Sequence, residues 1–117
     1  MAHLSTHVLD LSRGTPAEGV RLDLFRLKSS QREKLRAAIT NRDGRTDRPL
    51  LESDPLPAGT YELVFHTAEY FRRVGSPLAN PPFLDEIVLR FGIDPAAGSY
   101  HVPLLVSPYG YSTYRGS

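Results

Sequence analysis

The chain has no cysteine among its 117 residues. Disulfides, thiolate zinc sites and a cysteine nucleophile are therefore excluded, and the composition suits a reducing compartment. An excess of charge of one sign is also missing: 14 Lys and Arg against 13 Asp and Glu leave a formal net charge of +1. Phosphate-backbone binding calls for a clustered basic surface, so nucleic acid is not an expected partner. The one short basic run, Arg42 to Arg48, contains Asp43 and Asp47 and reads as a solvated loop. No apolar run approaches the length of a membrane span, and Met1-Ala2-His3-Leu4-Ser5 has no charged segment followed by an apolar one. The expectation is a soluble, unprocessed cytoplasmic protein with no membrane partner. Several reaction classes lack their residues too. There is no Gly-x-Ser-x-Gly elbow, no Gly-rich phosphate loop and no His-x-His pair, and Asp85 and Glu86 are neighbours rather than opposed carboxylates. Serine-hydrolase, nucleotide, glycosidase and metal-centre readings gain no support.

Present in quantity are turn residues. Ten prolines and nine glycines cut the sequence into short apolar pieces, with turn signals at Arg13-Gly14-Thr15-Pro16, Asp43-Gly44, Pro55 to Gly59, Gly75 to Pro82 and Asp94 to Gly98. Such spacing predicts one mainly β domain, a sandwich or barrel, over residues 1–117. Val20-Arg21-Leu22-Asp23-Leu24 alternates apolar and charged residues, which turns Val20, Leu22 and Leu24 toward a core. Thr60 to Thr67, Ile87 to Phe91 and Tyr100 to Val106 are rich in β-branched and aromatic residues and read as strands. One short helix is expected after His66, with Thr67 as N-cap, Tyr70, Phe71 and Val74 at helical spacing, and a stop at Gly75. Residues 31–39 are ambiguous. Ser30-Gln31-Arg32-Glu33 has the form of a capping box and Leu35 and Ile39 lie four apart, so local propensity favours helix there.

The residues that could carry chemistry are few. His7 shares a strand face with Ser5 and Leu9, and His101 shares one with Pro103 and Leu105, so each imidazole is a polar group in a largely apolar run. Taken singly, each reads as a structural or surface residue; as a pair they can exchange protons near neutral pH. His66 reads as a strand end and His3 as a frayed terminus. Arg45 follows the turn signal Asp43-Gly44 and should project from just past it. The ending Tyr114-Arg115-Gly116-Ser117, directly after a strand, brings a phenol, a guanidinium, a hydroxyl and a carboxylate together.

Two dense segments, His7-Val8-Leu9-Asp10 with Gly14-Thr15-Pro16-Ala17, and Tyr100 through Ser117, resemble the transthyretin-related proteins, and within them the 5-hydroxyisourate hydrolases. The similarity runs from Leu4 to Ser117. The hydrolases' Asn-x-Asp-Gly-Arg segment maps onto Asn41, Asp43, Gly44 and Arg45, whereas the related hormone carriers lack both histidines, the arginine and the Tyr-Arg-Gly-Ser ending. Residues 27–40 are the part that departs from the family's pattern. The resemblance implies a transthyretin-like β-sandwich of two four-stranded sheets with one short helix, and a strand rather than a helix over 31–39. It further implies a homotetramer whose sites form at the dimer-dimer interface, and hydrolysis of 5-hydroxyisourate in urate degradation without metal or cofactor. In that reading His7, His101 and Arg45 are catalytic, and His7, Arg45, Tyr114 and Ser117 bind the substrate. Which histidine is the general base stays open, and a non-enzymatic small-molecule carrier using the same channel is the alternative.

Overall fold

The computed structural model describes all 117 residues. Nine strands and one α-helix follow in order: β1 (Ala2–Asp10), β2 (Thr15–Pro16), β3 (Arg21–Lys28), β4 (Gln31–Ile39), β5 (Leu51–Ser53), β6 (Gly59–Phe65), α1 (Thr67–Arg73), β7 (Ile87–Ile93), β8 (Tyr100–Ser107) and β9 (Gly110–Thr113). They form two sheets packed face to face, one ordered β2-β1-β8-β9 with β5 also on β1, the other β4-β3-β6-β7. The expected pair of four-stranded sheets is met with one addition. Strand β5 pairs with Ala2 to Leu4 and β2 with Leu9 and Asp10, so the two short strands share the opposite ends of one edge of β1.

The core lies between the sheets. Leu4, Val8, Leu22, Leu24, Leu63, Phe65 and Leu104 are fully enclosed there, and Val20, Leu22 and Leu24 are buried as the alternation predicts. Each such side chain contributes about 1.5–3 kcal/mol of transfer free energy relative to exposure. Strand β1 shows the resulting two-residue period. Leu4, Thr6, Val8 and Asp10 are buried while His3, Ser5, His7 and Leu9 face outward, half-buried.

Residues 31–39 form a strand, so the resemblance prevails over the local helix signal. The hairpin turns through Ser29, at φ 53°, and Lys28 then faces Gln31 in the ladder. Ser30 therefore starts no helix, and Leu35 and Ile39 are exposed. What holds β4 is its pairing with β3 and the ion pairs Lys28–Glu33 at 3.0 Å, Lys34–Asp23 at 3.1 Å and Arg32–Glu62 at 3.2 Å.

The helix stands where expected, with one correction at its start. His66 is the N-cap residue and Thr67 the first helical one. The Thr67 hydroxyl donates to the Asp85 carbonyl at 3.3 Å instead of capping its own helix. Gly75, at φ 83°, turns the chain after Val74. His66 directly follows β6, as a strand-end residue should, and its ring lies between Asp23 Oδ2 at 3.0 Å and Glu86 Oε2 at 3.3 Å. Burial pushes the Asp23 carboxyl up, but the hydrogen bonds from His66 and Lys34 outweigh it and leave Asp23 below its usual range. No helix is long and apolar enough to cross a membrane.

Candidate active site

The site grows from the parallel pairing of the first and last long strands. In that ladder Ser5 lies directly opposite His101 and His7 opposite Pro103, which puts the outward faces of β1 and β8 side by side. Ser5 Oγ and His101 Nδ1 are 2.8 Å apart. Burial first, then the positive charge of Arg45 and the neighbouring His7, lower the His101 pKa below the ordinary imidazole value. Both effects favour the neutral form of His101.

Between β2 and β5 the edge of β1 is open, and the Asn41 to Arg45 turn fills the gap. The Val8 amide donates to the Gly44 carbonyl at 2.8 Å, and the Asn41 side-chain oxygen accepts from the amides of Asp43 and Arg45 at 2.9 and 3.2 Å. Gly44 sits at φ 76°, and a Cβ there would collide with the Val8 carbonyl. Glycine is required for the turn to seat this closely. The seating brings the Asp43 carbonyl to 2.8 Å from His7 Nε2 and delivers Arg45, as the turn signal predicts, to the outer face of the sheet.

The C-terminal tail closes the other side. Gly116 donates its amide to the His101 carbonyl at 2.7 Å. Arg115 stacks on the Tyr100 ring at 4.4 Å and donates to the Ser99 carbonyl at 3.0 Å. Together these elements enclose an open cavity of about 390 Å³ lined by His3, Ser5, Arg45, Ser99, His101 and Ser117, with Tyr100 at its back.

The structure thus joins His101, Arg45 and Ser117 in one cavity. His7 lies two residues from Ser5 on the same face of β1, outside the cavity wall but near enough to act on the charge of His101. Tyr114 is not in that cavity. It is 60% exposed and lines a separate cleft with Val88, Phe91 and Tyr111.

Four residues of the cavity, His3, Ser5, Ser99 and Tyr100, have no site role in the sequence analysis. Ser5 contacts His101, and its signal was the same two-residue alternation that paired it with His7. His3 is not frayed: it belongs to β1, its amide donates to Ser99 Oγ at 3.0 Å, and its side chain lines the cavity. His3 Nδ1 lies 3.3 Å from Glu52 Oε2 but forms no hydrogen bond, so the contact is ionic only when the ring is protonated. His3 and His7 are four apart, a ligand spacing on a helix. On a strand the same interval separates them by roughly 13 Å.

Imidazoles, an exposed guanidinium and the Ser117 hydroxyl around an open polar cavity suit a planar, partly anionic ligand and general acid-base work upon it. Comparison with known proteins agrees with this chemistry. A family model described as the HIUase/Transthyretin family matches residues 4–116. The chain is 56% identical over 114 residues to 5-hydroxyisourate hydrolase 2 of Rhizobium meliloti strain 1021, covering 97% of this chain and 95% of that one. The solved 5-hydroxyisourate hydrolase of Klebsiella pneumoniae is 40% identical with a TM-score of 0.82 and full coverage of both chains. Sea bream transthyretin, solved with thyroxine, has a TM-score of 0.86 at 27% identity, covering 98% of this chain and 95% of that one. With the sandwich, the split edge of β1 and the tail all in place, this chain belongs to the HIUase/Transthyretin family.

Proposed function

We propose that this chain, as a single domain assembled into a homotetramer, hydrolyses 5-hydroxyisourate to 2-oxo-4-hydroxy-4-carboxy-5-ureidoimidazoline in urate degradation. The observation that carries the reading is the convergence of His101, Arg45 and Ser117 on one cavity beside His7, in a chain 56% identical to the Rhizobium enzyme. The carrier alternative draws on the shared sandwich alone, at 27% identity to the thyroxine-bound protein.

The reaction opens one lactam bond. Water adds to the ring carbonyl, the carbon–nitrogen bond breaks, and the nitrogen takes a proton while a carboxylate is left. A neutral imidazole of the His7 and His101 pair accepts the proton from water, and the other orients the reactants. Arg45 holds the anionic edge and the carbonyl through its fork of donors and stabilises the charge that develops on oxygen. Ser117 hydrogen-bonds the ligand from the tail, and Tyr114 completes the pocket once neighbouring copies bring their channel-lining strands together.

The test is direct. A urate oxidase generates 5-hydroxyisourate in situ, and its near-ultraviolet decay is followed with and without the protein, subtracting the spontaneous reaction. The protein is expected to accelerate the decay, and His7→Ala and His101→Ala each to lower the rate by about two to four orders of magnitude. A folded wild-type protein with no acceleration would sink the reading and make the carrier the leading one.

A further inference from the structure

A neutral imidazole has one N–H and one lone pair, and the partner of either nitrogen sets the state of the other. His7 Nε2 lies 2.8 Å from the Asp43 carbonyl oxygen. A carbonyl only accepts, so the hydrogen is on Nε2 and the lone pair of neutral His7 is on Nδ1. His101 is held by its other nitrogen, Nδ1, at 2.8 Å from Ser5 Oγ. That contact joins directly opposed positions of two paired strands, so the ring is placed by the sheet and not by a loop. Gly116 secures its second side, because a Cβ there would stand 2.6 Å from His101 Cδ2.

We propose that Ser5 is a positioning residue that donates its hydroxyl hydrogen to His101 Nδ1, so that His101 offers an N–H at Nε2 while His7 offers a lone pair at Nδ1. The Ser5 hydroxyl has no other acceptor among the protein's side chains and carbonyls, and donating to Nδ1 satisfies both groups. Burial and the nearby Arg45 favour the neutral ring of His101, which carries one lone pair that Nδ1 can present to the Ser5 hydroxyl. Neither remaining ring nitrogen is both buried and unpartnered, which leaves His7 Nδ1 and His101 Nε2 open to a ligand.

This division deepens the hydrolase reading and rests on it. His7 Nδ1 takes the proton of the attacking water as the new carbon–oxygen bond forms. It returns that proton to the ring nitrogen as the carbon–nitrogen bond breaks. His101 Nε2–H stays protonated throughout and donates a hydrogen bond to the developing oxyanion. The histidine that looks more buried is thus the donor, and the one bonded to a backbone carbonyl is the base.

Long-range proton–nitrogen NMR of the uniformly nitrogen-15-labelled full chain reads each ring's tautomer directly, without substrate. Both neutral rings are expected to carry hydrogen on Nε2. Ser5→Ala should move His101 to a mixture of tautomers and lower kcat about tenfold with KM within about twofold, the scale of one lost hydrogen bond. Ser5→Thr, which keeps the hydroxyl, should restore both the spectrum and kcat. An Nδ1–H signature for wild-type His101, or a Ser5→Ala spectrum identical to wild type, overturns the proposal whatever the activity. The expected tautomers in a protein that does not accelerate 5-hydroxyisourate decay would support the Ser5 contact and defeat the hydrolase reading instead.

Discussion

Asp10 shows how a single buried charge can tie the site strand to the rest of the fold. Only 1% of it is exposed, yet both oxygens are partnered. Oδ1 accepts from the Ser12 hydroxyl at 2.6 Å and the Ser12 amide at 3.0 Å, and Oδ2 accepts from the Tyr70 hydroxyl at 2.8 Å. Burial first, then the hydrogen bond and charge of Asp10, push the Tyr70 phenol up to about 12. The phenol stays protonated, locking α1 against the end of β1. Tyr70→Phe leaves one oxygen of a buried carboxylate without its donor, and should lower the unfolding free energy by about 2 kcal/mol while leaving hydrolysis within about twofold. Urea unfolding checks it; an unchanged midpoint would mean water replaces the phenol without loss. The alternation places Ser5 on the face of His7, but neither Asp10 nor Ser5 has a partner that the sequence identifies. Their partners lie 60 and 96 positions away, and only the fold pairs them. His7, His101 and Arg45 stand out sooner, because a lone polar group in an apolar strand and an arginine past Asp-Gly are visible locally.

At the scale of elements, the tail acts as a strap over His101. Its backbone bridge at Gly116, the Arg115 stack on Tyr100 and the bond to the Ser99 carbonyl hold it at successive points. Gly116→Ala would place a methyl 2.6 Å from the imidazole carbon Cδ2, so either the ring or the strap must shift. Because the strap is held by a few contacts to β8 and its preceding turn, we expect kcat/KM to fall at least about tenfold with unfolding free energy changed by less than about 1 kcal/mol. An alanine variant with wild-type kcat/KM would show that the strap does not position His101. The clusters at Val20 to Leu24, Thr60 to Thr67, Ile87 to Phe91 and Tyr100 to Val106 locate β3, β6, β7 and β8, since two-residue alternation and β-branched residues report half-buried strands, although β3 runs on to Lys28 and the second cluster overruns β6 into α1. Strand β4 was not. Its side chains are nearly all exposed, so no apolar alternation marks it, and Ser30-Gln31-Arg32-Glu33 offers a helical start that pairing with β3 overrides. The Thr67 hydroxyl departs from its expected capping role for a similar reason, its carbonyl acceptor lying on a segment 18 residues away.

The whole molecule has two kinds of sheet edge. Strand β4 is charged and carries ion pairs at Arg32, Glu33 and Lys34, a pattern that discourages another chain from adding to a sheet. At the opposite side, β7 and β9 end their sheets and flank an apolar cleft of about 350 Å³. Val88 and Tyr111 there are 45% and 46% exposed. Unpaired strands beside exposed apolar side chains favour association, and a net charge of +1 per chain opposes it little. The proposed homotetramer therefore predicts a light-scattering mass four times the 13.0 kDa of one chain. Tyr111→Glu, placing a charge at the β9 edge, should shift that mass downward while circular dichroism keeps its β signature, and under the proposed role of Tyr114, which joins the pocket through assembly, hydrolysis should fall with the tetramer fraction. A wild-type protein that sediments as a monomer and hydrolyses at full rate would remove assembly from the mechanism. The cavity of His101, Arg45 and Ser117 on one chain would then have to suffice alone.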